Sequence, residues 1–217
     1  MKTIIFDMDG VLIDSEPLWK IAEIEAFAKV GLNTKKTDFA ESVGLRIDEV
    51  VQLWHDKVKW TSKTIKEVED DIVNILIREI NKQGKEMQGV TPLLKQLKAK
   101  GYKIGLATSS YQRIIDAVLQ KLNIAKYFDV VHSAENENFG KPHPAVFMTT
   151  ADKLNSKYAD CLVFEDSLNG VISAKSARMK VIAVPEECNG VNPKLIIADK
   201  IINSLADFEL DLIDELF

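Results

Sequence analysis

Cysteine is scarce: Cys161 and Cys188 are the only two in 217 residues, and neither belongs to a Cys-x-x-Cys pair. At most one disulfide could form, so a disulfide-stapled scaffold is excluded and two reduced thiols are expected. Proline and glycine are also few, at 6 and 10 residues, which excludes collagen-like and low-complexity architectures. No apolar run approaches the roughly 18 to 20 residues that a membrane span requires. The opening Met1-Lys2-Thr3-Ile4-Ile5-Phe6 turns apolar but meets Asp7 and Asp9 at once, so no signal-peptide hydrophobic region develops. A positive excess is missing too: 28 Lys and Arg stand against 33 Asp and Glu, a formal charge of −5. That balance argues against nucleic acid or an anionic membrane as the main partner, because both need clustered positive charge. His55, His132 and His143 lack metal-ligand spacing, so ordinary structural roles are expected for them. The expectation is a cytoplasmic monomer.

What the chain does have is material for a core. Apolar residues make up 46% and charged residues 28%, enough for one generous domain or a domain with an insert. Thr3 to Phe6 is short, β-branched and continuously apolar, which suits a strand buried on both faces of a parallel sheet. Similar runs recur at Lys103–Ala107, Asp129–Val131, Cys161–Phe164, Val181–Val184 and Lys200–Ile202, each separated from the next by a helix-sized segment. This alternation predicts a doubly wound α/β domain with a parallel, Rossmann-like sheet. Thr91 is the expected N-cap of a helix with Pro92 at its first position and Gly101 at its close. Ile114, Ile115, Val118, Leu119 and Leu122 repeat the helical period, as do Leu210, Ile213 and Phe217.

Between the first strand and Gly89 lie about 75 residues without a strand pattern, far more than ordinarily joins neighbouring strands. Ser15-Glu-Pro17 signals a helix start, followed by Trp19, Ala22, Ala26, Phe27 and Val30, with Gly31 as the stop. Ile47, Val50, Val51, Trp54 and Val58 form a second stripe, and Ile65, Val68, Ile72, Ile75, Leu76 and Ile80 a third. The expected organisation is therefore a core of residues 1–14 and 88–217 with a helical insert at 15–87.

Ligands of parallel α/β sheets bind beyond the carboxyl ends of the strands. The residues there are Asp7-Met-Asp9-Gly10, Thr108-Ser109-Ser110, Gly140-Lys141-Pro142 and Glu165-Asp166-Ser167. Taken singly the first three are ordinary, an Asp-x-Asp turn, a helix cap and a surface lysine, whereas Glu165-Asp166 beside a buried strand tolerates burial only with cations or donors. Together they put four carboxylates near one point, where they would resist ionising unless a cation neutralised them, and hard oxygen ligands select Mg²⁺. One carboxylate could then attack phosphorus while a hydroxyl, helix-start amides and a lysine bind the phosphoryl oxygens.

Asp7-Met-Asp9-Gly10-Val11, Thr108, Gly140-Lys141-Pro142 and Glu165-Asp166-Ser167 resemble, in order, the four motifs of the haloacid dehalogenase superfamily. The insert looks like that superfamily's small helical cap. Phe6–Trp19, with Gly44-Leu-Arg-Ile-Asp48 and Leu53-Trp54, is similar to the bacterial 2-deoxyglucose-6-phosphate and hexitol phosphatases. The resemblance implies that Asp7 is the nucleophile forming an aspartyl-phosphate, and that Asp9 protonates the leaving oxygen before activating water. It implies Mg²⁺ ligands from the Asp7 carboxylate, the Asp9 main-chain carbonyl and the Asp166 carboxylate, with Glu165 just outside. Thr108, the Ser109 amide and Lys141 would hold the phosphoryl group. Trp19, Glu23 and Arg46 are the candidates for touching a small sugar or polyol phosphate, and Trp54 is expected nearer the core.

Three competing readings bear on the same residues. The superfamily's dehalogenases lack a second aspartate in the first motif, whereas this chain retains Asp9, which disfavours carbon–halogen cleavage. A β-phosphoglucomutase-like mutase would share the motifs, yet those mutases carry His where this chain has Trp19, and their cap arginine does not align cleanly with Arg46. Receiver domains of signalling proteins hold an aspartyl-phosphate as a switch, but lack a helical insert after the first strand.

Overall fold

The computed structural model describes residues 2–32, 45–185 and 192–217; Gly44 and Cys188 lie outside the described residues. Six parallel strands form one sheet: β1 (Thr3–Phe6), β2 (Lys103–Thr108), β3 (Val130–Ser133), β4 (Cys161–Glu165), β5 (Lys180–Ala183) and β6 (Lys200–Ile201). Their order is β3-β2-β1-β4-β5-β6, which is the doubly wound arrangement expected. The winding reverses beside β1, opening the crevice where such sheets bind ligands.

Side chains of successive strand residues point to opposite faces, so each run divides between two cores. Ile4, Phe6, Leu106, Phe164 and Ile182 pack on one face, with Phe6 stacked on Phe164 at 4.9 Å. Ile5, Ala107, Val163 and Val181 pack on the other. Each large apolar side chain withdrawn from water in this way contributes on the order of 1.5–3 kcal/mol. The third strand starts one residue later than its sequence pattern suggests, because the Asp129 carboxylate accepts the Ile104 N–H at 2.8 Å and the Lys98 ammonium at 2.6 Å.

Helices α1 (Glu16–Ala28), α2 (Ile47–Val58) and α3 (Ile65–Gln83) follow β1 in the chain, and α3 packs against both α1 and α2. Phe27 meets Trp54 and Trp60 with ring centroids 6.5 Å and 5.9 Å apart, which places Trp54 in the core of this layer. Thr64 and Glu67 form a reciprocal capping box at the start of α3. The chain enters and leaves the layer by adjacent connections: the Asp14 N–H donates to Lys85 O, and the Met87 N–H to Leu12 O, both at 3.0 Å.

The remaining helices are α4 (Val90–Ala99), α5 (Gln112–Leu122), α6 (Ala145–Lys153), α7 (Leu168–Ser176) and α8 (Asp211–Leu216). Thr91 is not the cap of α4. Gly89 is, with φ at 90°, and the Thr91 hydroxyl donates to Glu86 at 2.6 Å. Proline fits at several first-turn positions because those N–H groups have no intrahelical acceptor, so Pro92 did not determine the register. Among the described residues no helix is long and apolar enough to cross a membrane. Cys161 is a free buried thiol, pushed up to about 12 by burial.

Candidate active site

The first residue beyond β1 is Asp7, and its N–H donates to Phe164 O at 3.0 Å, which ties the carboxyl end of β1 to β4. The Asp7 side chain is buried and its Oδ1 accepts the Lys141 ammonium at 2.7 Å. The same ammonium donates to Glu165 Oε1 at 2.6 Å and lies 4.8 Å from the centroid of the Phe147 ring. Lys141 is 3% exposed and Glu165 0%. A charge so enclosed persists only when paired, because removing either partner strands the other away from water.

Glu165 is itself oriented. Its Oε2 accepts the Ser167 N–H at 2.8 Å and the Ser167 hydroxyl at 3.0 Å, and that hydroxyl in turn accepts the Gly170 N–H as the cap of α7. A β-carbon at Gly170 would come within 1.6 Å of Glu165 Oε1, so only glycine lets α7 approach this closely. Gly10 serves in a similar way. At φ +71°, a β-carbon there would lie 2.3 Å from Asp166 Oδ2.

Asp9 lies on the other side of the crevice, with both oxygens engaged. Oδ1 accepts the Ser15 hydroxyl at 2.7 Å and the Trp19 indole N–H at 2.9 Å. Oδ2 accepts the Ser110 hydroxyl at 2.8 Å and, at a long 3.5 Å, the Thr108 hydroxyl. Thr108 also accepts the Ser110 N–H, and the buried Ser109 hydroxyl has no hydrogen-bond partner. Ser15 thus occupies the cap position of α1 without capping it, and the role of Ser110 is absent from the sequence reading. The signal for both was present in the hydroxyl-rich runs, where helix capping was the simpler explanation.

Burial pushes the Asp7 carboxyl up to about 7, with Lys141 opposing and Glu165 and Asp9 adding repulsion. Burial alone would lower the Lys141 ammonium, but Asp7 and Glu165 raise it above the usual lysine range. Lys141 is therefore the firmly charged member of the pair, its ammonium shared between the carboxylates of Asp7 and Glu165. Oxygens of Asp7, Glu165 and Asp166 lie within 4.8 Å of one another, an oxygen-only set suited to a hard divalent cation.

The three insert residues singled out from the sequence have different settings. Trp19 reaches Asp9. Glu23, one turn further along α1, is 9% exposed and pushed up to about 7 by burial. Arg46 does not join this group: its guanidinium binds Asp48 and the carbonyls of Ala134 and Glu137. His132 is bound to Glu137 and Lys153, a structural role.

The family described as haloacid dehalogenase-like hydrolase matches residues 4–184. Hexitol phosphatase B of Escherichia coli (strain K12) is 36% identical over 204 residues, covering 94% of this chain and 92% of the relative. Beta-phosphoglucomutase of Bacillus subtilis (strain 168) is 30% identical, covering 99% of this chain and 95% of the relative. The crystal structure of beta-phosphoglucomutase from Clostridium difficile superposes with a TM-score of 0.83 at 26% identity, covering 99% of this chain and 96% of that one.

Proposed function

This chain belongs to the haloacid dehalogenase-like hydrolase family, and from that premise we propose a Mg²⁺-dependent phosphatase acting on small sugar or sugar-alcohol phosphates, of the 2-deoxyglucose 6-phosphate or hexitol phosphate type. The carrying observation is the pairing of a buried Asp7, bound to Lys141 through Oδ1, with an Asp9 held by hydroxyl and indole donors. It supplies a nucleophile and a separately oriented proton carrier two residues apart.

Asp7 Oδ2, the oxygen that does not accept from Lys141, attacks phosphorus, and the ester P–O bond breaks as Asp9 gives its proton to the departing alkoxide. Asp9 then takes a proton from water as that water attacks the aspartyl-phosphate, which releases inorganic phosphate and restores the Asp7 carboxylate. Lys141, Thr108 and the Ser109 amide hold the phosphoryl oxygens throughout. Mg²⁺ held by the Asp7 carboxylate, the Asp9 carbonyl and Asp166 would offset the negative charge that otherwise repels an attacking carboxylate. Both Glu165 oxygens already accept hydrogen bonds, which suits it to orienting Lys141 beside the ion.

Residues 15–87 act in this proposal as a cap over the crevice, with the paired connections at Asp14 and Met87 as its base. Trp19 and Glu23 lie in one row of α1 because residues four apart share a helix face. Among the described residues no side chain donates to the Glu23 carboxyl, which burial pushes toward its neutral form. A hydroxyl of the sugar or polyol would be its partner in the complex.

A phosphosugar mutase is the second reading, favoured by the similarity to beta-phosphoglucomutase across nearly the whole chain. The test is phosphate release from hexose, deoxyhexose, hexitol and triose phosphates with Mg²⁺, beside isomerisation of β-glucose 1-phosphate with a glucose bisphosphate. Phosphate release without a bisphosphate supports the phosphatase. Rapid isomerisation with negligible phosphate release selects the mutase.

A further inference from the structure

Arg46 stands at the start of α2, and its side chain is 13% exposed. Its guanidinium faces two ways. Nε and Nη2 donate to the two oxygens of Asp48, both at 2.7 Å, and Nη1 donates to Ala134 O at 3.1 Å and Glu137 O at 2.7 Å. Arg46 and Asp48 belong to the insert, whereas Ala134 and Glu137 belong to the core segment that follows β3 and runs on to Gly140 and Lys141. A guanidinium has five N–H donors, and four of these are committed to protein acceptors, so it has little left for a ligand.

The far end of the same segment is also gripped. A β-carbon at Gly140 would lie 2.9 Å from Glu49 Oε2 and 3.4 Å from Arg46 Cβ, so the first turn of α2 rests directly on Gly140. Glu49 Oε2 accepts the N–H of Arg46 itself at 3.1 Å, which fixes that turn. From beneath, His132 Nε2 binds Glu137 Oε1 at 2.7 Å, and the Ser133 hydroxyl donates to Ser110 O at 2.6 Å. The segment therefore lies between the insert and the sheet, and the next residue along is the lysine bound to Asp7.

We propose that Arg46, oriented by Asp48, is a positioning residue: it latches the insert onto the 134–140 segment and so holds Lys141 against Asp7 and Glu165. The role of Lys141 in this proposal rests on the phosphatase reading; the latch itself does not. Because the acceptors are two main-chain carbonyls and a carboxylate in a forked array, lysine can replace the guanidinium only in part.

The test compares Arg46→Ala, Arg46→Lys and Asp48→Asn with wild type in kinetics on a hexitol phosphate and on p-nitrophenyl phosphate, which has no hydroxyls to recognise. Amide hydrogen exchange across residues 134–141 is followed in the substrate-free protein. Expected for Arg46→Ala is a fall in kcat of about 10- to 100-fold on both substrates, together with faster exchange in that segment. Arg46→Lys should recover part of both effects, and Asp48→Asn should reproduce them more weakly. A defect confined to KM for the hexitol phosphate, with exchange unchanged, would overturn the latch and make Arg46 a substrate contact. Faster exchange with unchanged kinetics would overturn the positioning role. If wild type hydrolyses neither ester, the phosphatase reading fails, and the exchange comparison still decides whether the latch exists.

Discussion

The indole nitrogen of Trp19 donates to Asp9 Oδ1 across 2.9 Å, and the Ser15 hydroxyl donates to the same oxygen at 2.7 Å. An indole N–H can only donate, so this bond favours Oδ1 as an acceptor and makes it the poorer seat for a proton. Hydroxyls can turn, so Ser110 and Thr108, which face Oδ2, can accept as well as donate. On the proposed mechanism Asp9 would therefore deliver its proton from Oδ2, with Trp19 of the helical insert favouring that choice.

Trp19→Phe keeps an aromatic ring and removes the donor. The expected outcome is a fall in kcat of about tenfold for a sugar phosphate, whose alkoxide leaves only with a proton, and a much smaller change for p-nitrophenyl phosphate, whose phenolate leaves without one. Equal losses on both esters in steady-state assays would mean that Trp19 does not direct the Asp9 proton.

Asp7→Asn should abolish turnover while the fold survives, because the amide has nearly the same size but is a poor nucleophile. Initial rates beside thermal melts check this, and mass spectrometry after rapid acid quench should find a phosphorylated peptide containing Asp7 only in the parent chain. Activity within about tenfold of wild type would remove Asp7 from the nucleophile role.

Activity should vanish in EDTA and return with Mg²⁺, whereas Ca²⁺ should inhibit, since its larger and looser coordination shell misplaces nucleophile and phosphorus. Asp166→Ala should raise the Mg²⁺ requirement or silence the enzyme. Full turnover after exhaustive chelation would contradict the metal role proposed for Asp7, the Asp9 carbonyl and Asp166.

Glu23 makes a prediction about stability. Its carboxyl has an ordinary value of 4.5 and is pushed up to about 7 by burial, so between those two values the folded chain holds a proton that the unfolded chain has lost. Stability from this group is intact below pH 4.5, declines as pH rises, and is lost above about 7. The penalty is at most on the order of 3 kcal/mol. Glu23→Gln cannot ionise, so melting temperatures of variant and parent should diverge in favour of the variant as pH rises across this window. A difference that is flat with pH would show that Glu23 is not held neutral in the fold.

Much of the architecture was legible because it is encoded locally. The apolar runs at Thr3–Phe6 and Cys161–Phe164 became the adjacent strands β1 and β4, since continuous apolarity over a strand's length requires burial on both faces. The stripe from Ile65 to Ile80 became α3 for the same kind of reason. What misled was chemistry with more than one local use. Thr91 and Pro92 suit several first-turn positions, and Ser15 carries a hydroxyl that a cap or a distant carboxylate can use equally well.

From the sequence alone came the parallel sheet, the helices that follow β1, and the expectation that Asp7, Asp9, Thr108, Lys141, Glu165 and Asp166 share one crevice, because ligands of parallel sheets bind beyond the carboxyl ends of the strands. Only the tertiary structure decided that Ser15, Trp19 and Ser110 converge on one carboxylate, that Lys141 bridges Asp7 and Glu165, and that Arg46 grips the segment leading to Lys141. Periodicity reports burial and local conformation, whereas a hydrogen-bond partner is chosen by where distant segments meet. The Ala134 and Glu137 carbonyls that receive Arg46 belong to the backbone, which every residue shares and no sequence pattern marks.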